Sequence, residues 1–338
     1  MAKRTGYSVT TVSRVISGNA ASHRIPENTA KAIMDEVKRC NYTPSAIAKS
    51  LRTSKSGTIG LILPSVANPY FAEIAGAVIA EAKAKGYFTI VLDTMEQKKN
   101  MEECARILYG RQVEGMIVIP SGDDPSLLER LDSHLPIVLM DRSYDYSTLS
   151  YVTTNNYEGG LMGTRLLIKS GHTRIACIQG EKEMPVSERV KGYRDAMREA
   201  GLEENISISG NEFSAHCGYL ETALLLSSED RPTAIFALSS TILLGAMKAI
   251  KEHQLMIPDD IALLSFDDNL YMDYTTPVIT RIRQPLEDMA KLAVKILFGR
   301  IENTLTASSQ LRLSPSLITG ESHKTCHSPT EPSVLQGN

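Results

Sequence analysis

The sequence predicts an α/β protein of two parallel sheets in series, preceded by a small all-helical segment. Three observations lead there. From Thr58 onward, short apolar runs alternate with helical patterns, and the first four runs end at Pro64, Asp93, Pro120 and Asp141, the spacing of βαβ units. The alternation breaks at a polar stretch, Ser143 to Ser150, and then restarts, which implies a second sheet. Residues 1 to 43 show short helical patterns and no strand.

In chain order, Thr10 to Ile16 and Glu27 to Cys40 carry helical periodicity, joined by a segment that opens with Ser17-Gly-Asn. Ala46 to Arg52, just after Pro44, is a further short helical candidate, and Thr53, Ser54, Ser56 and Gly57 read as a linker. The first sheet then draws on Thr58 to Pro64, on an amphipathic helix from Asn68 to Lys85 ending at Gly86, and on the apolar runs that close at Asp93, Pro120 and Asp141, with helical patterning between them. The second series runs through helix Glu158 to Ser170, a strand ending at Gly180, helix Ser187 to Ala200, strand Ile206 to Ser209 and helix Ala215 to Ser227. It continues with strand Ala234 to Leu238, helix Thr241 to Glu252, strand Ile261 to Asp267, helix Leu286 to Ile301 and one more extended segment. Ser322 to Asn338 lacks periodicity and reads as a disordered tail.

Composition narrows the function classes. With 338 residues, 42% hydrophobic and 22% charged, the chain has the make-up of a globular protein of two or three domains. The net charge of -3 hides an asymmetry: residues 1 to 55 carry +7 and the remainder -10, so the front of the chain suits a polyanion. Five widely spaced cysteines without a Cys-x-x-Cys pair disfavour a disulfide scaffold and a zinc site, and no metal or cofactor is expected. No run of 18 apolar residues exists, and Lys3 and Arg4 lead into Ser, Thr and Arg, so neither a membrane span nor a signal peptide is expected and a cytoplasmic location is. Neither Gly-x-Gly-x-x-Gly after a strand nor Gly-x-Ser-x-Gly occurs, which disfavours a doubly wound enzyme.

Ser8 is placed to cap a helix that turns Val12 and Val15 inward and Val9, Thr10, Ser13 and Arg14 outward. Small side chains around one arginine suit a helix in the DNA major groove, where Arg14 can pair with guanine; a capped surface helix is the alternative. Asp93, Asp141 and Asp267 each end an apolar run, where a carboxylate accepts hydrogen bonds from vicinal hydroxyls or caps the next helix.

Residues 2 to 63, with Ala-Lys-Arg-Thr-Gly-Tyr-Ser-Val-Thr-Thr-Val-Ser-Arg-Val, then Asn41-Tyr-Thr-Pro44, Ala48, Ser50-Leu-Arg52 and Ile59-Gly-Leu-Ile-Leu, resemble the lactose/galactose repressor family of bacterial transcription regulators. The likeness continues through Asn68-Pro-Tyr-Phe71, Gly115-Met-Ile, Gly171-His172, Gly192-Tyr193, Pro232 to Phe236, Ser265-Phe-Asp267 and Arg283-Gln-Pro285. The resemblance implies a helix-turn-helix over residues 1–43, a hinge helix and linker over 44–56, a two-lobed periplasmic-binding-protein-like effector and dimerisation domain over 57–321, and the tail over 322–338. It implies a dimer on double-stranded operator DNA, a repressor by family, controlled by a sugar or sugar phosphate effector between the lobes, without catalysis. By position, Val9, Thr10 and Arg14 match its base-reading face, with Ser8 and Ser13 beside them. Lys3 and Arg4 would contact phosphates, while Ala48 lies on the hinge helix and Leu51 matches its minor-groove wedge. Arg189 and Phe213 match its effector-binding arginine and stacking aromatic. Asn68, Tyr70 and Phe71 would line the other lobe, with Asp93, Asp267, Ser121 and Asn155 as further candidates. Ser239-Ser240 stands where the family commonly has a carboxylate, which bears on effector identity.

The first helix of the family begins upstream of the alanine matched by Ala2, so the expectation is that Met1 is a mis-read valine codon and the start lies further upstream. The rival is a shortened regulator with poor operator binding, acting through effector capture. A transporter's solute-binding protein shares the cleft but neither the basic front nor the lack of a signal segment.

Overall fold

The computed structural model describes residues 1–42, 55–181 and 186–324. The expectations for the hinge helix, for Ala48 and Leu51, and for the tail beyond Lys324 fall outside these residues. The chain divides into two compact units between Gly57 and Thr58.

The first unit is helical. Ser8 caps helix Val9–Ile16 by accepting from the Thr11 N–H at 3.1 Å, as its position before the apolar pattern requires. Val12 and Val15 bury against Ile33 of helix Glu27–Arg39, with Met1, Ala2, Ile16 and Ile25 packed around them. A single turn, Ala2–Thr5, precedes these and stops at Gly6, whose φ of 72° glycine adopts without the steric cost a β-carbon brings. Helix nucleation is too costly for one turn to stand alone, so packing and Arg4, 2.9 Å from Glu36, hold it.

The second unit contains two six-stranded sheets. Strands β1 (Thr58–Leu63), β2 (Phe88–Asp93), β3 (Met116–Val118), β4 (Ile137–Met140) and β5 (Ser150–Thr154) make the first, in order β2-β1-β3-β4-β5, and β11 (Gln310–Leu313) joins beyond β5. Strands β6 (Ile175–Ile178), β7 (Ser207–Ser209), β8 (Ala234–Ala237), β9 (Ala262–Phe266) and β10 (Thr280–Arg283) repeat that order as β7-β6-β8-β9-β10, and β12 (Ser316–Ile318) closes the edge. All pairings are parallel except β10 with β12. Each sheet has apolar side chains on both faces, which is why its strands read as continuous apolar runs.

The chain crosses between lobes three times. Helix Asn156–Lys169 follows β5 but packs in the second lobe, and helix Leu286–Ile301 follows β10 but packs in the first. Ser314 and Pro315 then carry the chain from β11 in the first sheet to β12 in the second. Two strands depart from the sequence reading. β5 lies where a polar lead into a helix is expected, because Ser150, Thr153 and Thr154 are polar yet buried. β10 holds Arg281, fully buried and satisfied by Asp268 and Asp273 at 2.5 and 2.6 Å. The single expected extended segment after Ile301 is two strands.

The expected tail also starts too early. Ser322 is buried, donates to the Leu263 carbonyl and accepts from the Thr280 N–H, while His323 bonds Thr280 Oγ1 at 2.8 Å through its ring and His172 Nε2 at 3.1 Å through its carbonyl. Small polar residues here satisfy a sheet edge. Burial holds both histidines below their ordinary value of 6.5. The unfolded chain therefore takes up protons first, and the stability they contribute is full above 6.5 and is lost as pH falls through their depressed folded values. Urea unfolding should show stability declining from about pH 7 to about pH 5, and a His172→Gln, His323→Gln double variant should have a shallower decline over that range.

Candidate effector cleft and DNA-reading helix

Strand ends and helix starts build the cleft. Asn68 accepts from the Tyr70 N–H at 3.1 Å and begins helix Pro69–Ala84, which delivers Tyr70 and Phe71, packed edge to face at 5.2 Å. Asp141 and Asp267 follow β4 and β9, which hold the same place in the two repeated strand orders, and both have left-handed φ, 65° and 73°. That conformation turns each carboxylate off its strand end into the space between lobes. Ser239 caps helix Ser240–Glu252, and Phe213 lies against Gly180, where a β-carbon would stand 2.6 Å from its ring.

The charges in the cleft are matched within the protein. Tyr70 donates its hydroxyl to Asp141. Arg142 forms a two-pronged contact with Glu96 at 2.9 and 3.1 Å, bonds the Pro120 carbonyl and stands 5.6 Å over the Phe71 ring. Arg189 donates to Asn156 Oδ1 and the Leu238 carbonyl, both at 2.7 Å, lies 3.6 Å over Phe266, and is 3.9 Å from Asp267. Asp267 also accepts from Gln284 at 2.7 Å. Burial pushes both aspartates above the usual carboxylate range, against the pull of Arg142 and Tyr70 on Asp141 and of Arg189 and Gln284 on Asp267.

Of the ten effector candidates, the structure brings together seven, Asn68, Tyr70, Phe71, Arg189, Phe213, Ser239 and Asp267, and adds the strand-end Asp141 to them. It places three elsewhere. Asp93 spends both oxygens on the N–H groups of Met95 and Val66, Ser121 pairs with Thr94, and Asn155 caps a helix through Glu158. The cleft also contains Glu96 and Arg142, which sequence reasoning missed. Arg142 directly follows a strand-ending aspartate, a detectable signal; Glu96 sits on a loop with φ of 56° and has none.

On the helical unit, Val9, Thr10 and Arg14 are exposed on one helix, Val9 at 74%, and Ser13 is partly covered. Lys3 is exposed. Arg4 is engaged with Glu36, whose carboxyl is held down at about 2 chiefly by its hydrogen bonds to Arg39 and Cys40. No helix among the described residues is long and apolar enough to cross a membrane.

A helix-turn-helix unit and a two-lobed ligand cleft in one chain define a ligand-responsive regulator of transcription. Residues 164–323 match the periplasmic binding protein-like domain. The chain is 33% identical to the HTH-type transcriptional repressor PurR of Vibrio campbellii over 94% of its length and 96% of that protein. It is also 33% identical to the ribose operon repressor of Haemophilus influenzae, over 95% of its length and 97% of that protein. The lac repressor dimer bound to operator and the anti-inducer ONPF superposes with a TM-score of 0.85 at 23% identity, over 96% of this chain and 97% of that one, a likeness of fold. The chain belongs to the LacI family of transcriptional regulators, and it is a DNA-binding repressor regulated by a small molecule. Its relatives are repressors, not enzymes.

Two glycines set the position of Arg189. A β-carbon on Gly160 would lie 2.1 Å from the Arg189 carbonyl oxygen, and one on Gly192 would lie 2.3 Å from that of Tyr157, so the helices touch backbone to backbone. Gly192→Ala should cost about 1 to 3 kcal/mol in urea unfolding through this overpacking, whereas Gly76→Ala, which meets open space, should leave stability unchanged or raised.

Proposed function

We propose that this repressor acts as a cytoplasmic dimer without catalytic activity and that its effector is a small, uncharged, polyhydroxylated molecule of sugar type. The observation that carries the ligand class is the pairing of both cleft arginines by Glu96 and Asp267, which leaves no surplus cation for a phosphate while leaving carboxylate lone pairs and the Phe71 and Phe213 faces for hydroxyls and a ring. A sugar phosphate fits this set less well. Asn68, Tyr70, Asp141, Arg189, Ser239 and Asp267 are the residues assigned to it, and Glu96 and Arg142 shape the wall.

Thermal-shift screening of monosaccharides and disaccharides should give a stabilising hit that Arg189→Ala or Asp267→Ala abolishes, by mass action on the folded state. Stabilisation by purines or amino acids and by no sugar would contradict this ligand class.

On DNA, one recognition helix makes few base contacts, so adequate affinity calls for two half-sites and a dimer. Val9, Thr10 and Arg14 are assigned the bases and Lys3 a phosphate. In a selection from random duplexes the protein should recover a pseudo-palindrome, and Arg14→Ala should relax preference at one base pair of each half-site, costing about 1 to 3 kcal/mol there. Lys3→Ala should instead weaken all sequences alike and lower the salt dependence. Unchanged base preference in Arg14→Ala would overturn the assignment.

A further inference from the structure

Outside the cleft's lining, a charged pair among the described residues joins the two lobes. Arg312 lies on β11, in register with Thr153 of β5, and belongs to the first lobe. Glu188 lies in the first turn of helix Val186–Glu199, in the second. Arg312 Nη1 donates to Glu188 Oε1 at 2.8 Å. We propose that these two residues form an interlobe latch that holds one edge of the effector cleft closed and sets how readily it opens for its ligand.

Three features support this role. First, Arg312 is held on its own side: the β11–β5 register sets it opposite Thr153, and Tyr151 of β5 is the chief influence that keeps its guanidinium even more firmly protonated than usual, with Glu188 adding to the effect. Second, Glu188 immediately precedes Arg189, so a ligand that moves Arg189 moves the latch. Third, the latch borders a narrow space that Asp141, Arg142 and Asn156 also line; the first two face the cleft as well, and Asn156 anchors Arg189. Two residues after Arg312, the crossover itself is bonded to the second lobe, Ser314 Oγ donating to Glu158 at 2.8 Å.

The strength suits a switch. Arg312 is 46% exposed and Glu188 21%, so the pair biases the lobes by a few-fold and does not lock them. A ligand with modest preference for one lobe arrangement can then override it. Neither residue lines the cleft itself, so both act by positioning.

This inference rests on the cleft being the effector site, and the test separates the two. D-ribose is the probe, titrated calorimetrically and by stopped flow against the full chain. Arg312→Glu and Glu188→Arg should each weaken ribose binding about three- to tenfold, mainly through faster release, and raised salt should move the unaltered protein toward them. The double variant, Glu188→Arg with Arg312→Glu, should return to within about twofold. Single reversals without effect, or a swap that worsens binding additively, would overturn the latch. If the unaltered protein binds no ribose, the ligand assignment fails for that sugar, and amide hydrogen exchange of the ligand-free chain decides the latch. Exchange across 151–158 and 187–192 should quicken in each single reversal and recover in the swap; unchanged exchange would overturn it.

Discussion

The second unit depends on three chain crossings tied to one another by hydrogen bonds, one of them buried. Thr154, ending β5, donates to Gln284 at 2.6 Å, just after β10, and the Asn155 N–H donates to the Leu313 carbonyl at 2.8 Å, at the end of β11. The same Gln284 amide donates to Asp267 in the cleft. Thr154, Gln284 and Asp267 are all buried, where a lost partner leaves an unsatisfied polar group at a cost of about 1 to 3 kcal/mol. On the ligand assignment proposed above, a hydroxyl arriving at Asp267 would act on a group that is already part of the hinge. Coupling between ligand and lobe arrangement needs no longer path than this.

The cleft itself follows from repetition of one topology. Because β4 and β9 occupy equivalent places, Asp141 and Asp267 face one space from opposite lobes, each raised by burial and each held by its own donors, Tyr70 for one and Gln284 for the other. Placing two buried carboxylates near each other is unfavourable unless cations stand beside them, and Arg142 and Arg189 fill that need before any ligand arrives. The neutral ligand proposed above would bind these groups without having to carry a compensating charge.

Apolar strands and amphipathic helices were legible in the sequence because burial on both sheet faces leaves no polar alternation to confuse them. β5 and β10 were not, since Ser150, Thr153, Thr154, Thr280 and Arg281 reach the interior through specific partners that hydropathy does not register. In the cleft, family likeness pointed to Arg189, Phe213 and the Asn68 to Phe71 segment, and the strand-end rule pointed to Asp141 and Asp267. That same rule also nominated Asp93, whose oxygens close a local turn. Strand position alone cannot distinguish a carboxylate turned outward from one bonded to its own loop. Glu96 was invisible because its place depends on a left-handed loop and on Arg142, 46 residues away.

The central claim is that cleft and operator report on the same lobe arrangement, and linkage tests it most directly. The measurement is a closed cycle: operator affinity with and without the sugar that stabilises the protein most, and sugar affinity with and without operator. The account predicts that the sugar changes operator affinity by about 5- to 150-fold and that operator changes sugar affinity by the same factor. Operator affinity that stays constant while the cleft fills with sugar would contradict it.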